Sequence, residues 1–227
     1  MDQPSAEQIR ERHALLVERL RRVSEEGGHD PGRLRLVAVT KAHPLEVARA
    51  ARDAGLRMLG ESRVQEAEPK IAVLPEVEWH FIGRLQSNKA RRVIRSFEVV
   101  HSVDSAELLN RLDRLAGEEG RRPRVLIQMN VWGEASKAGL APGELTRIAP
   151  PMNLDLVGLM TIAPMGASDG EARSIFRQLR ELRDRLEQAA GIGLPELSMG
   201  MSADMEAAAA EGATLVRIGT ALFGQRH

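Results

Sequence analysis

The chain has 227 residues, 28% of them charged, with a formal net charge of zero, which suits one large domain or two small ones and argues against a general polyanion partner such as nucleic acid. It has no cysteine and no tyrosine, which excludes disulfides, zinc–cysteine sites, thiol catalysis and any phenol of this chain acting as acid or base. The N-terminus lacks the pattern of a secretory signal, and no apolar run approaches the roughly 18 residues of a membrane span, so a cytoplasmic protein with no membrane segment is expected.

Ser5 to Glu26 reads as a helix. Ser5 and Gln8 have capping-box spacing, Ile9, His13, Leu16, Leu20 and Val23 form one stripe, and Gly27-Gly28 stops it. Leu34 to Lys41 is a short apolar run rich in β-branched residues, read as the first strand, with a lysine at its end. Pro44 to Ala54 is the next helix and Arg57 to Gly60 the next strand. Ser62 and Gln65, again at capping-box spacing, start a helix that Pro69 is expected to interrupt or kink. Glu78 to Ile82 is a strand, Ser87 caps a helix through Ile94, and Phe97 to Val103 is a strand. Asp104 and Glu107 cap a helix carrying Leu108, Leu109, Leu112 and Leu115. Arg124 to Val131 is a strong strand, followed by a loop with Gly133 and Gly139, a helix from Pro142 to Ala149, and a strand from Leu154 to Ile162. Ser168 and Glu171 open a long helix ended by Gly191. Leu194 to Ser198 is a strand, Ser202 caps a helix through Glu211, and Thr214 to Ile218 is the last strand, before a helical turn from Thr220 to Phe223.

Eight strands alternating with helices, after one extra N-terminal helix, predict a parallel sheet. In this length they fit an α/β fold closed as a single (β/α)8 TIM-type barrel spanning 1–227 better than an open doubly wound sheet, whose G-x-G-x-x-G does not follow the first strand. Such barrels place their chemistry at the C-terminal ends of the strands, with phosphate beside the loops after strands seven and eight. Lys41 ends the first strand and is one of only four lysines. Lysine, unlike arginine, can lose its proton when buried and attack a carbonyl. The late loops, Ser198-Met199-Gly200-Met201-Ser202 and Arg217-Ile218-Gly219-Thr220, each offer a hydroxyl and a glycine before a helix start, the elements of a phosphate cradle.

A Schiff-base lysine beside a phosphate site fits either an aldolase acting on a phosphorylated sugar or pyridoxal 5′-phosphate. Arg217 is placed to meet a pyridine nitrogen or to form a salt bridge at the barrel rim. Arg84, Lys89, Arg91, Arg92 and Arg95 read as a solvated helix face, and His80 and His101 as packed strand residues without metal-ligand spacing. Asp204 and Glu206 favour a helix dipole, and no metal site is expected.

Val39-Thr40-Lys41, Gly60-Glu61-Ser62-Arg63-Val64-Gln65-Glu66, the run Trp79 to Lys89, Gly158-Leu159-Met160-Thr161-Ile162, Leu197 to Met205 and Val216 to Gly224, with Asn130, Glu134, Lys137 and Gly139, resemble the pyridoxal phosphate homeostasis protein family from about Leu34 to the C-terminus. The resemblance implies a barrel like the N-terminal domain of alanine racemase. It implies a cofactor carried by Lys41 as a covalent aldimine, a phosphate held by Ser202, Gly219 and Thr220 with the adjoining Gly200 and Met201, and Arg217 at the ring nitrogen. The family's usual asparagine after Gly-Glu is Ser62 here, a shorter side chain with one donor, and its usual serine before the lysine is Thr40. The resemblance also implies a carrier of the cofactor in vitamin B6 balance rather than an established enzyme, with pyridoxal phosphate-dependent apoenzymes as candidate recipients. A monomer is expected. Racemisation in related barrels uses a tyrosine from a second domain opposite the lysine, so efficient racemase activity is not expected; a weak racemase is the alternative.

Overall fold

The computed structural model describes residues 3–133, 138–145 and 150–225. Eight parallel strands close into a barrel in sequence order: β1 (Arg35–Val39), β2 (Met58–Glu61), β3 (Glu78–Phe81), β4 (Val99–Val103), β5 (Arg124–Gln128), β6 (Asp155–Met160), β7 (Glu196–Ser198) and β8 (Leu215–Ile218). Closure runs along β1 and β8, from Arg35 opposite Leu215 to Ala38 opposite Ile218. Around them lie α1 (Ala6–Glu26), α2 (Leu45–Asp53), α3 (Val64–Val73), α4 (Ala90–Ser96), α5 (Ala106–Glu119), α6 (Pro142–Leu145), α7 (Asp169–Ala190), α8 (Met205–Ala210) and α9 (Thr220–Phe223). This is the (β/α)8 barrel with an extra N-terminal helix that the alternation predicts.

The extra helix is a structural strap. Its capping box, Ser5 with Gln8, forms as expected. Ile9 and Leu20 are fully buried where α1 packs against α2, α8 and α9, a burial that stabilises by about 1.5–3 kcal/mol per side chain. Arg12 adds a 2.9 Å hydrogen bond to the Leu222 carbonyl, tying the strap to the end of the chain that carries the last strand loop.

The barrel interior is built in layers from alternate strands. The first residues of the odd strands, Arg35, Glu78, Arg124 and Glu196, alternate in sign at the N-terminal end and pair as Arg35–Glu196 and Arg124–Glu78. Above them Met58, Val99, Val157 and Leu215, from the even strands, pack with Val37, Leu126 and Met160 into one apolar cluster. By the same alternation His80 and Ser198 share the layer of Val37 and Leu126, and His101 and Arg217 come next.

Several local expectations are corrected. The helix after β2 starts at Val64, with Arg63 as its N-cap and no side-chain cap, so the Ser62–Gln65 box does not form. Pro69 does not break α3; Pro69 and Gln65 are both exposed, so the carbonyl freed by the missing N–H faces water. Ser87 opens a 3-10 turn (Ser87–Lys89) rather than capping α4. Ser105, not Asp104, caps α5 by accepting from Leu108 N–H. The N-cap of α8 is Asp204, not Ser202. The helix expected from Pro142 to Ala149 is α6 to Leu145, its remainder lying outside the described residues, as do Glu134 and Lys137.

Candidate functional site

Lys41 stands two residues past the end of β1, half-buried in a turn, at the spacing of two that relates it to Val39 and to Val37 of the barrel interior. The next residue, Ala42, has φ +60° and is the one non-glycine in the left-handed region among the described residues, a conformation that costs an L-residue roughly 1–2 kcal/mol. Beneath the turn lies a buried polar knot. Lys70 Nζ donates to Glu61 Oε1 at 2.6 Å and to the Thr40 carbonyl at 2.9 Å. Thr40 Oγ1 donates to the same Glu61 oxygen at 2.8 Å. Glu61 and Thr40 are fully buried and Lys70 is 5% exposed. Burial pushes the Glu61 carboxyl above its ordinary range while Lys70 and Thr40 pull it back. The peptide that carries Lys41 is therefore anchored from below at Thr40.

The loop after β7 turns at Gly200, whose φ of +86° and close approach to Ala208 admit no Cβ: one would stand 2.5 Å from the Ala208 Cβ. Its carbonyl accepts from Arg217 N–H at 3.0 Å, which ties the loop to β8. The Met201 N–H is taken by Asp204 Oδ1 at 2.6 Å, so it is not a spare donor. Ser202 leaves α8 and turns its hydroxyl toward the start of α9, 3.5 Å from Ala221 N. Gly219 is the N-cap of α9, and Thr220, its first residue, is exposed. The structure thus brings Ser202, Gly219 and Thr220 to one place.

Arg217 is 4% exposed and lies inside the barrel, not in a salt bridge at the rim. Nη1 donates to Ser198 Oγ at 2.6 Å and Nη2 to the Thr161 carbonyl at 3.0 Å. Burial pushes its pKa down to about 10, partly opposed by Asp204, so it remains a cation at neutral pH. Ser198 in turn meets His101 Nδ1, and His101 meets His80. The expectation that both histidines pack in the strands holds, and among the described residues no three His, Asp or Glu side chains are grouped so as to hold a metal ion.

Ser62 is half-buried at the end of β2, where Gly83 lies so close that a Cβ there would come within 2.2 Å of the Ser62 carbonyl. Ser62, Arg63, Gly83, Arg84, Lys89 and Asp104 face a cavity of about 910 Å³ on the same rim. Behind it the basic cluster is solvated and ion-paired: Arg91 to Glu118 and Glu119, Arg92 to Glu68, Arg95 to Glu119.

The family description that matches is the alanine racemase N-terminal domain, over residues 16–227. The pyridoxal phosphate homeostasis protein of Synechocystis sp. is 45% identical over 203 residues, 86% of this chain and 93% of that protein. That of Pseudomonas aeruginosa is 44% identical over 224 residues, 96% of each chain. The chain belongs to the pyridoxal phosphate homeostasis protein family. A solved structure of PipY from Synechococcus elongatus, described with PLP bound, is 43% identical with a TM-score of 0.83, covering 95% of this chain and all of that one. Alanine racemase of Bartonella henselae shares the fold at 17% identity, TM-score 0.72, over 98% of this chain and 60% of its own.

For this family member, two parts of the site escape reading along the chain. Lys70 was readable in part, because it falls at i+3 from Ala67 and i+6 from Val64 on the buried face of α3. The Arg217–Ser198–His101 contact was not, since it joins three strands far apart in sequence.

Proposed function

We propose that this chain, as one barrel domain, binds pyridoxal 5′-phosphate for intracellular vitamin B6 homeostasis without efficient catalysis. The observation that carries the reading is the 43% identity, over the full length of a structure solved with PLP bound, to a member of the same family. The residues present fit such a ligand. A half-buried lysine sits just past a strand end, the Ser202 hydroxyl, Gly219 and Thr220 come together at the start of α9, and a buried arginine has no carboxylate in contact with it among the described residues.

When bound, the cofactor supplies an aldehyde for an amine and a ring that withdraws electrons. Lys41 provides the amine that holds it covalently. Ser202 and Thr220 provide hydroxyl donors for the phosphate, with Gly200 and Gly219 shaping the two loops and Met201 contributing the backbone between them. Ser62 lies on the opposite flank from these loops. Arg217, a cation that gives up no proton at neutral pH, would meet the ring nitrogen and leave it unprotonated, so that the ring would withdraw electrons less strongly. The chain has no tyrosine to act opposite Lys41, so two-base racemisation lacks its second group.

Purified protein mixed with pyridoxal phosphate is expected to show a visible absorption band that Lys41→Ala removes; wild type without the band defeats the reading. Chiral analysis of alanine or serine after incubation is expected to show no turnover above free cofactor, and clear turnover would favour a weak racemase. The reading extends to a cytoplasmic monomer that supplies dependent apoenzymes. Light scattering tests the monomer, and transfer to an apoenzyme in competition with a trap for free cofactor separates direct delivery from release.

A further inference from the structure

The polar groups inside the barrel form one hydrogen-bonded column, and with both imidazoles neutral its direction is fixed from the carboxylate end. A guanidinium only donates, so Ser198 Oγ accepts from Arg217 Nη1 at 2.6 Å. The serine proton then goes to His101 Nδ1 at 2.7 Å. His101 therefore carries its proton on Nε2 and donates it to His80 Nδ1 at 2.8 Å. His80 in turn donates from Nε2 to Glu78 Oε1 at 2.9 Å, and the other Glu78 oxygen accepts from Arg124. The carboxylate sets this direction, since Glu78 only accepts and a neutral His80 that donates to it from Nε2 must accept at Nδ1, and the cation at the other end is compatible with it. With both imidazoles neutral, each ring nitrogen and the serine hydroxyl proton has one partner.

An additional proton disrupts this column. On His101 Nδ1 it would turn that bond around onto the second lone pair of Ser198 Oγ, leaving the serine hydrogen without a partner in the column. On His80 Nδ1 it would face the His101 N–H. Ser198 and His101 are fully buried and His80 is 1% exposed. The charges around the histidines are Arg35 from β1, Glu78 on β3, Arg124 from β5, Glu196 from β7 and Arg217 from β8, with Asp204 acting on Arg217. Burial, the largest cause, keeps both histidines below their ordinary pKa; at His80 Glu78 opposes it, and nearby arginines add to it at both.

We propose that His101, held by His80, is a positioning residue for the cofactor: as a neutral Nε2–H tautomer it turns the Ser198 hydroxyl so that its lone pair faces Arg217, and so sets where the guanidinium meets the ring. The assignment rests on the reading that Arg217 faces the ring nitrogen. Without an acceptor at His101 Nδ1 the serine proton has no fixed direction, and the lone pair that meets Arg217 is no longer held toward it.

Two measurements test this. Nitrogen NMR of the ligand-free, 15N-labelled protein should show both histidines unprotonated at Nδ1 and protonated at Nε2 from about pH 8 to about pH 5, where a free imidazole would charge. A protonated Nδ1 on either one overturns the column, and this reading needs no variant. Cofactor titration then compares variants. His101→Leu is expected to weaken binding about tenfold and shift the visible band, the loss of one charge-assisted hydrogen bond. His101→Asn, which returns an acceptor toward Ser198, should restore most of both. Val99→Ala, a cavity in the same interior, should lower stability and leave the band in place. Wild-type affinity and spectrum in His101→Leu overturn the assignment, as does an equal band shift in Val99→Ala. Wild-type protein with no band defeats the cofactor reading and this assignment together, and the NMR result then shows whether the column itself stands.

Discussion

Lys70 Nζ donates a 2.9 Å hydrogen bond to the carbonyl of Thr40, the residue before Lys41, while sharing the buried Glu61 carboxylate with the Thr40 hydroxyl. The second oxygen of that carboxylate, Oε2, has no hydrogen-bond partner among the described residues. Glu61 therefore depends on Lys70 for its compensation. Removing one partner of a buried pair typically costs about 3–5 kcal/mol, and Lys70→Met is expected to lose that much at neutral pH. The sign with pH follows from the raised Glu61 value. The folded state holds a proton that the unfolded state releases, so stability falls as pH rises through the window between the two. Without Lys70 that window widens upward, and the penalty of Lys70→Met should shrink at about pH 5 relative to about pH 7. Glu61→Gln with Lys70→Met should recover most of the loss. Urea denaturation at both pH values checks this; a pH-independent loss, or a double variant as weak as the single, counts against it.

The same knot shows what was legible along the chain. Ser5 with Gln8 and Ser168 with Glu171 form their capping boxes because nothing but the adjoining turn competes for those groups. Ser62 and Gln65 have the same spacing and do not, because the Ser62 backbone is pressed against Gly83 in the neighbouring strand's loop. The barrel and the positions of Lys41 and Arg217 followed from alternation, which is local. The partners of those residues did not: His80 and His101 meet across 21 residues and His101 and Ser198 across 97, contacts that depend on which strand faces share a layer.

Gly200 should tolerate no side chain. At φ +86° an alanine is strained whatever surrounds it, and its Cβ would stand 2.5 Å from that of Ala208. Strain and overpacking together put Gly200→Ala at about 2–3 kcal/mol. Adding Ala208→Gly removes the contact but not the strain, so recovery should be partial. Full recovery would mean that the conformation of Gly200 carries no cost. Chemical denaturation separates these, and cofactor titration of the same proteins reports whether the Ser202 loop has moved.

Glu78 titrates in the opposite sense to Glu61. The His80 N–H, first among its partners, and then Arg124 hold it down from 4.5 to about 2 despite its partial burial. A depressed carboxyl stabilises above its unfolded value and loses that contribution as pH falls toward the folded one, here from 4.5 toward about 2. Wild-type protein should therefore lose thermal stability through this window, and Glu78→Gln should flatten that limb while being less stable at neutral pH, where Arg124 is left without its carboxylate. An unchanged acid limb would remove Glu78 from the base of the column.

Ser62→Asn tests the larger of the two departures from the resembled pattern, the other being Thr40 before the lysine. Ser62 is half-buried and borders the cavity of about 910 Å³ at the rim, so a longer side chain has room without displacing Gly83, whose approach is to the Ser62 backbone and Cβ. An asparagine amide reaches farther than a hydroxyl and brings two donors instead of one. If Ser62 faces the cofactor, one added hydrogen bond of about 1 kcal/mol should tighten pyridoxal phosphate binding about fivefold, read from the visible band in a titration. Binding that weakens or stays the same would place Ser62 out of the cofactor's reach, its hydroxyl serving the rim cavity instead.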